Sequence, residues 1–354
     1  MKKIVLTGGG TAGHVTPNIA LMPQLRQRGY DITYIGSIAG MEKGMIEEEG
    51  IPYYGIETGK LRRYFSPQNF SDPFRVIKGC AQAGRLLRKI RPNVIFSKGG
   101  FVSVPVVLAA KMLKIPVVIH ESDMTPGLAN KICIPAAARV CCNFPETVKY
   151  LPEGKALLTG SPIRQELFDG DREKGLAFCG LKGEKPVLLV IGGSLGAAAL
   201  NQAIWDNLDE LLKKYEVIHL CGKGKTKDDL GDVPGYVQYE FISEELADLL
   251  AAADLVISRA GANSICELVA LKKPNILVPL PASASRGDQI LNARSFKKQG
   301  FSFLLPEEKI TGERLLKVID HVYKQRDSYV KAMEESPQNQ AINKIVDLLD
   351  QLAD

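Results

Sequence analysis

Short apolar runs rich in β-branched residues alternate along this chain with longer stretches whose apolar residues recur every three or four positions. In the first half the runs fall at 3–7, 31–35, 53–56, 94–97, 117–120 and 139–142, and helical spacing falls at 18–28, 41–49, 72–90, 102–113 and 127–133. The second half repeats the scheme. Strands are expected there at 187–191, 216–220, 237–239, 255–258, 275–278 and 301–305, and helices at 197–206, 243–252, 262–271, 288–299 and 312–325. A run that is apolar at nearly every position suits a strand buried on both faces, the condition of a parallel sheet between helices. Both halves therefore read as doubly wound α/β domains. The tail carries Ile342, Ile345, Val346, Leu348, Leu349 and Leu352 at helical spacing, a face that needs an apolar surface to cover.

Length agrees with two domains, since 354 residues exceed what one ordinary core accommodates. The turn-rich segment 159–164 marks the expected boundary. That gives a first domain over 1–160, a second over 161–335, and a helix within 336–354 that crosses back to the first. Apolar content of 45% and charged content of 24% are those of a globular protein. A net charge of +5 is too modest to imply nucleic acid, although a local basic patch can still meet anionic lipid. The seven cysteines are scattered and form no C-x-x-C pair, which favours reduced thiols over disulfides or zinc. The chain enters a strand at once rather than a signal peptide. No apolar run approaches the ~20 residues of a spanning helix, so any membrane contact is expected to be peripheral.

Two glycine-rich turns carry the chemistry. Gly8-Gly9-Gly10-Thr11-Ala12-Gly13-His14 follows the first strand, and Gly192-Gly193-Ser194-Leu195-Gly196 follows the strand at 187–191. A turn of this kind between strand and helix aims free N–H groups and the positive end of a helix dipole at one spot, which suits phosphate. Two of them suggest two nucleotide-binding-type domains facing one cleft. Gly8, Gly10 and Gly13 also fit the dinucleotide pattern G-x-G-x-x-G. That pattern requires an acid at the end of the second strand, where this chain has Gly36-Ser37, with Asp31 at the opposite end. A nicotinamide enzyme is thereby disfavoured. A structural role for the glycines, close packing of helix on strand, stays open.

The sequence Gly9-Gly10-Thr11-Ala12-Gly13-His14 resembles the first signature of the bacterial N-acetylglucosamine transferases that convert lipid I to lipid II in peptidoglycan synthesis. Further segments match in order: Lys98-Gly99-Gly100-Phe101, His120-Glu121-Ser122-Asp123, Thr159-Gly160-Ser161-Pro162-Ile163-Arg164, Gly192-Gly193-Ser194-Leu195-Gly196, Ser258-Arg259-Ala260-Gly261-Ala262 with Glu267, and Asp288-Gln289. The resemblance implies a GT-B fold of two Rossmann-like domains. It implies inverting transfer of N-acetylglucosamine from UDP-N-acetylglucosamine to the 4-hydroxyl of the muramyl sugar of lipid I, at the cytoplasmic face of the bacterial membrane. Other cell-wall synthesis proteins are further candidate partners.

By the same resemblance, Glu267 accepts the ribose hydroxyls, Ile242 lies beside uracil, and the segment Ala262, Asn263, Ser264, Ile265 and Cys266 supplies contacts to the same end. Gln289 reads sugar hydroxyls. Ser194 and Arg164 suit the diphosphate, a hydroxyl at a helix start and a guanidinium fork. Thr11, Ala12, Gly13 and Asp123 belong to the acceptor side. Three positions depart from the family's pattern: Asp123 stands where asparagine is frequent, Phe101 replaces a common tyrosine, and Asp288 stands where some members have glutamine.

An inverting transfer needs a base for the acceptor hydroxyl. His14, the one histidine of four on a glycine turn, is the candidate, with Glu121 or His120 able to orient the acceptor or take the proton. A capping or diphosphate hydrogen bond without proton transfer is the alternative for His14. His219 and His321 lie in apolar surroundings and read as structural. No cofactor or metal is needed: there is no D-x-D motif with strand flanks and no His/Cys cluster, and Arg164 with the turn dipoles can neutralise departing UDP. Between 60 and 91, bases including Arg62, Arg75, Lys78 and Arg88 mix with Tyr64, Phe65, Phe70, Phe74 and Ile77, a composition suited to an anionic membrane surface. Rivals are a relative with another acceptor, a nucleotide-sugar epimerase of similar fold, and a binding module without catalysis.

Overall fold

A computed structural model of the chain describes residues 1–59, 68–193, 196–283 and 287–354, with backbone alone at 68–73 and 337. Contacts divide the described residues into two compact units, Met1–Arg164 with Gln340–Asp354, and Gln165–Asn339.

The first unit is built on seven parallel strands: β1 (Lys2–Thr7), β2 (Tyr30–Ser37), β3 (Tyr53–Ile56), β4 (Val94–Ser97), β5 (Val117–Glu121), β6 (Arg139–Cys142) and β7 (Ala156–Leu158). Their order is β3-β2-β1-β4-β5-β6-β7. Alternation along β1 shows why the run at 4–6 is continuously apolar. Ile4 and Leu6 enter one core layer, while Val5 enters the layer on the opposite face. The first layer includes Leu21 and Leu25 of the helix Thr16–Gln27, and Ile345, Val346, Leu348 and Leu349 of the helix Ala341–Ala353. Polar ties reinforce that packing: Arg28 meets Asp347 at 2.8 Å and Asp350 at 2.6 Å, and Tyr30 Oη donates to Asp350 at 2.9 Å.

The second unit holds β8 (Val187–Ile191), β9 (Glu216–Leu220), β10 (Tyr236–Tyr239), β11 (Leu255–Ser258), β12 (Asn275–Leu277) and β13 (Phe303–Leu304), all parallel, in the order β10-β9-β8-β11-β12-β13. Its core includes Leu188, Val190, Leu200, Val217, Ile257 and Ile276. The expected α/β class and doubly wound sheets are thus present in both halves. Differences lie at the edges. The three-residue β7 is absent from the sequence reading because its Ala156 and Leu157 are not buried, so it shows no buried apolar run. The run at 301–305 pairs only at Phe303–Leu304. The first helix begins at Thr16, two residues before the expected start, with Pro17 in its first turn, where proline's missing N–H costs nothing.

In each sheet the strand order reverses direction once, between β1 and β4 and between β8 and β11. At such a switch point the connections leave to opposite sides, and a crevice opens beyond the carboxyl ends of the strands. Both glycine turns follow the first strand of their sheet, so both stand at that point.

Candidate active site

In the first unit the turn after β1 and the turn after β4 meet. Lys98 N donates to Thr7 O at 2.9 Å, carrying the strand pairing into the loops. Two glycines are required for the approach. A Cβ on Gly100 (φ +80°) would lie 2.4 Å from Gly9 O, and one on Gly10 (φ +84°) would lie 2.6 Å from the Phe101 ring. The buried Glu42, from the helix Glu42–Glu48, braces the same turn. Its Oε2 accepts from Gly10 N at 3.3 Å, and its Oε1 accepts from Ser37 N at 2.9 Å and from Ser37 Oγ at 2.6 Å. From beneath, Asn18 Nδ2 donates to Thr7 O (3.3 Å) and His14 O (3.4 Å), and Tyr34 Oη donates to Gly8 O (2.8 Å).

Thr11 and Ala12 are exposed, and Gly13 and half-buried His14 complete a single 3-10 turn over Ala12–His14. His14 Nδ1 lies 3.0 Å from Thr11 Oγ1. Burial and the positive Lys98 pull the imidazole down to about 4, against a hydrogen bond to the Gly9 carbonyl and the charge of Glu42. His14 is therefore a neutral imidazole at pH 7, the form able to accept a proton.

The neighbouring acid and histidine are engaged internally. Glu121 Oε1 accepts from Asp123 N at 3.0 Å, and its Oε2 accepts from Gly127 N at 3.1 Å and Asn130 Nδ2 at 2.8 Å. Burial pushes this carboxyl up to about 7, those hydrogen bonds pull the other way, and the Asp123 charge adds to the rise. Glu121 thus shapes the 122–127 loop that carries half-buried Asp123. His120 is fully buried between Lys98 Nζ, 2.9 Å from its Nδ1, and Gly160 O, 2.8 Å from its Nε2. Burial, aided by Lys98, depresses it well below the ordinary histidine range. Of the three groups considered for proton transfer, His14 is the one on the glycine turn and not fully buried.

In the second unit one pocket lies at the carboxyl ends of β8, β9, β10 and β11. It brings together Ile242, Ser264 and Glu267 with Ile191, Gly193 and Leu220. Ser264 and half-buried Glu267 sit on the helix Ala262–Ala270, whose N-cap is Gly261. Ala262 and Asn263 open that helix half-buried, whereas the side chains of Ile265 and Cys266 are buried in the core. Gln289 opens the helix Asp288–Lys298. Its Oε1 accepts from Leu280 N at 3.1 Å. Ser194 lies outside the described residues. Arg164 closes the first unit, and its Nε is buried without a hydrogen-bond partner among the described residues. Phe241 escaped the sequence reading although it lines this pocket and is 63% exposed. An aromatic beside a matched position is the signal that could have found it. Glu42 and Lys98 carried no such signal, because a charged residue on a helix start or strand end reads as solvated. His219 is buried between Tyr236 Oη and Asn201 Oδ1, each at 3.1 Å, a structural arrangement.

Comparison with known proteins agrees with these features. Residues 4–142 match the glycosyltransferase family 28 N-terminal domain, and residues 187–352 match the family 28 C-terminal domain. Two curated relatives bear the name UDP-N-acetylglucosamine–N-acetylmuramyl-(pentapeptide) pyrophosphoryl-undecaprenol N-acetylglucosamine transferase. The one from Lachnoclostridium phytofermentans is 61% identical over 352 residues, and the one from Lachnospira eligens is 62% identical over 349; each alignment covers 99% of both chains. Among solved structures, MurG of Acinetobacter baumannii matches with a TM-score of 0.75 and 26% identity over 99% of this chain and 100% of that one. A UDP-GlcNAc 2-epimerase from Neisseria meningitidis matches with a TM-score of 0.70 at 14% identity, covering 99% and 100%, a likeness of fold alone. With both domain types matched in order and relatives above 60% identity along nearly its whole length, the chain belongs to glycosyltransferase family 28.

Proposed function

We propose that the chain transfers N-acetylglucosamine, with inversion, from UDP-N-acetylglucosamine to the 4-hydroxyl of the muramyl sugar of lipid I, giving lipid II and UDP. The observation that carries this reading is the pocket at the switch point of the second sheet. It gathers Ile242, Ser264 and Glu267, the positions expected to hold uridine. The names of the relatives support the choice of donor and acceptor.

In this mechanism Glu267 accepts the ribose hydroxyls, and Ile242 with Phe241 flanks the uracil. The Gly193 turn and the start of the helix Ala262–Ala270 present N–H groups and dipole to the nucleotide. Arg164 meets the diphosphate, which would supply the acceptor that its buried Nε lacks among the described residues. The acceptor lies at Thr11–His14, Gly99–Phe101 and the Glu121–Asp123 loop. His14 takes the hydroxyl proton as that oxygen attacks the anomeric carbon. The bond from that carbon to the phosphate oxygen breaks on the opposite face, and its electron pair leaves with UDP. Charge growing on the leaving phosphate is held by the guanidinium and the backbone donors, so the residues themselves supply the electrostatic stabilisation. The decisive assay is UDP release, which should require lipid I.

Lipid I is anchored in the membrane, and no described helix is long and apolar enough to cross one. We assign membrane docking, at the cytoplasmic face, to the helix Gln68–Ile90. Its Phe74 and Ile77 are 74% and 67% exposed, whereas Ala83 and Leu87 on its other side are core. Arg75, Arg85 and Arg88 are exposed along the same helix. Bulky apolar groups among bases suit an anionic interface, each base contributing about 1 kcal/mol near the surface. Residues 60–67, and the Phe70 side chain, lie outside the described residues. Serine at both 74 and 77 is expected to weaken binding to phosphatidylglycerol vesicles about tenfold or more and to leave turnover of a soluble lipid I analogue unchanged. Co-sedimentation equal to that of the unmodified protein would remove the assignment.

A further inference from the structure

The side chain of Lys98 is 1% exposed, an unusual place for an ammonium group. It stands at the end of β4, and a Cβ on Gly8 would lie 3.3 Å from Lys98 Cβ, so the lysine stem runs directly against the glycine turn after β1. Its Nζ donates to His120 Nδ1 at 2.9 Å and to Ser122 Oγ. His120 Nε2 is 2.8 Å from Gly160 O, a carbonyl that can only accept. The proton of His120 must therefore be on Nε2, leaving Nδ1 to accept from the lysine. A single ammonium thus joins β4, the end of β5, and through His120 the segment that leaves β7.

We propose that Lys98 is a positioning residue for the transfer: its buried ammonium locks His120 and Ser122 at the ends of two strands and keeps a positive charge against the turn that carries His14. The catalytic part of this inference rests on the reading of His14 as the base. The charged groups facing His14 are Lys98 from the end of β4 and Glu42 from the helix Glu42–Glu48; Thr11 Oγ1 and the Gly9 carbonyl are its neutral partners. The two charges act in opposite directions. Lys98 disfavours the imidazolium and Glu42 favours it. Removing Lys98 leaves Glu42 unopposed, so the imidazole should hold its proton to higher pH.

The test is histidine titration by NMR on the full-length protein labelled at its four histidines, with His14 assigned from the signal lost in His14→Ala. Kinetic profiles of kcat/KM for sugar transfer are measured on the same variants. Lys98→Met and Lys98→Gln are expected to titrate His14 roughly one pH unit higher than the unmodified protein. The acid limb of kcat/KM should move by the same amount. Lys98→Arg, which keeps the charge, should restore both. Lys98→Gln keeps a hydrogen-bond donor in place, so it reports the charge even if the methionine variant folds poorly. A His14 titration that does not move in either neutral variant overturns the inference and leaves the base assignment standing. A titration that moves while the kinetic limb stays fixed overturns the base assignment instead.

Discussion

Replacing His14 with alanine is expected to lower kcat by about 10²- to 10⁴-fold, the range that general-base catalysis supplies, with UDP-N-acetylglucosamine still binding at its normal affinity. The split follows from the division of labour. His14 lies on the turn after β1 in the first unit, whereas the donor pocket is built from β8–β11 in the second. The loss should therefore appear in kcat and not in donor Kd. The pH dependence sharpens the expectation. In the free protein His14 is depressed to about 4, so kcat/KM should be flat at neutral pH and fall only as pH drops toward that value. An acceptor diphosphate beside the turn adds negative charge, which raises the imidazole and moves the kcat limb to higher pH than the kcat/KM limb. The depression also carries a cost. A base of low affinity for protons is a weak one, and the approach of the anionic substrate strengthens it at the moment of use. Near-normal turnover in His14→Ala would leave the turn with a binding role only.

Replacing Glu267 with alanine is expected to weaken donor binding about 10²- to 10⁴-fold, with a smaller change in kcat. Hydrogen bonds to a charged group contribute about 1.5–3 kcal/mol each, and the carboxylate is assigned to both ribose hydroxyls. Because ribose is common to donor and product, UDP should lose affinity by the same factor as UDP-N-acetylglucosamine. A finer consequence separates this role from simple damage to the pocket. The unmodified protein should prefer UDP to 2′-deoxy-UDP, and the alanine variant should bind the two alike. Competition calorimetry reads both affinities. A preference for the ribonucleotide that survives in the variant would assign the ribose to another group.

Much of the fold was legible in the sequence, for a physical reason. The central residues of strands such as β1, β4, β8 and β11 are buried on both faces, so those positions are constrained to be apolar and the run stands out. β7 escaped because half-exposed edge residues carry no such constraint. Glycine turns were legible because only glycine tolerates the backbone at Gly10 and Gly100, whatever the ligand. The bracing groups were not. Glu42 reaches a turn 32 residues away in sequence, and Lys98 reaches a histidine 22 residues on; neither contact leaves a periodic mark. A buried charge is specified by its partners in space, and a single sequence does not list those. The same holds for Glu121. Its three N–H partners, which tie it to the Asp123 loop, leave no mark in the sequence.

The most direct test of the account is to incubate the purified protein with UDP-N-acetylglucosamine, with and without lipid I, and to follow UDP release together with the anomeric configuration of the sugar product. The account predicts UDP equimolar with lipid I consumed, none without it, and a β-linked N-acetylglucosamine derived from the α-configured donor. Release of UDP, or epimerisation of the sugar, in the absence of lipid I would contradict it, as would an α-linked product.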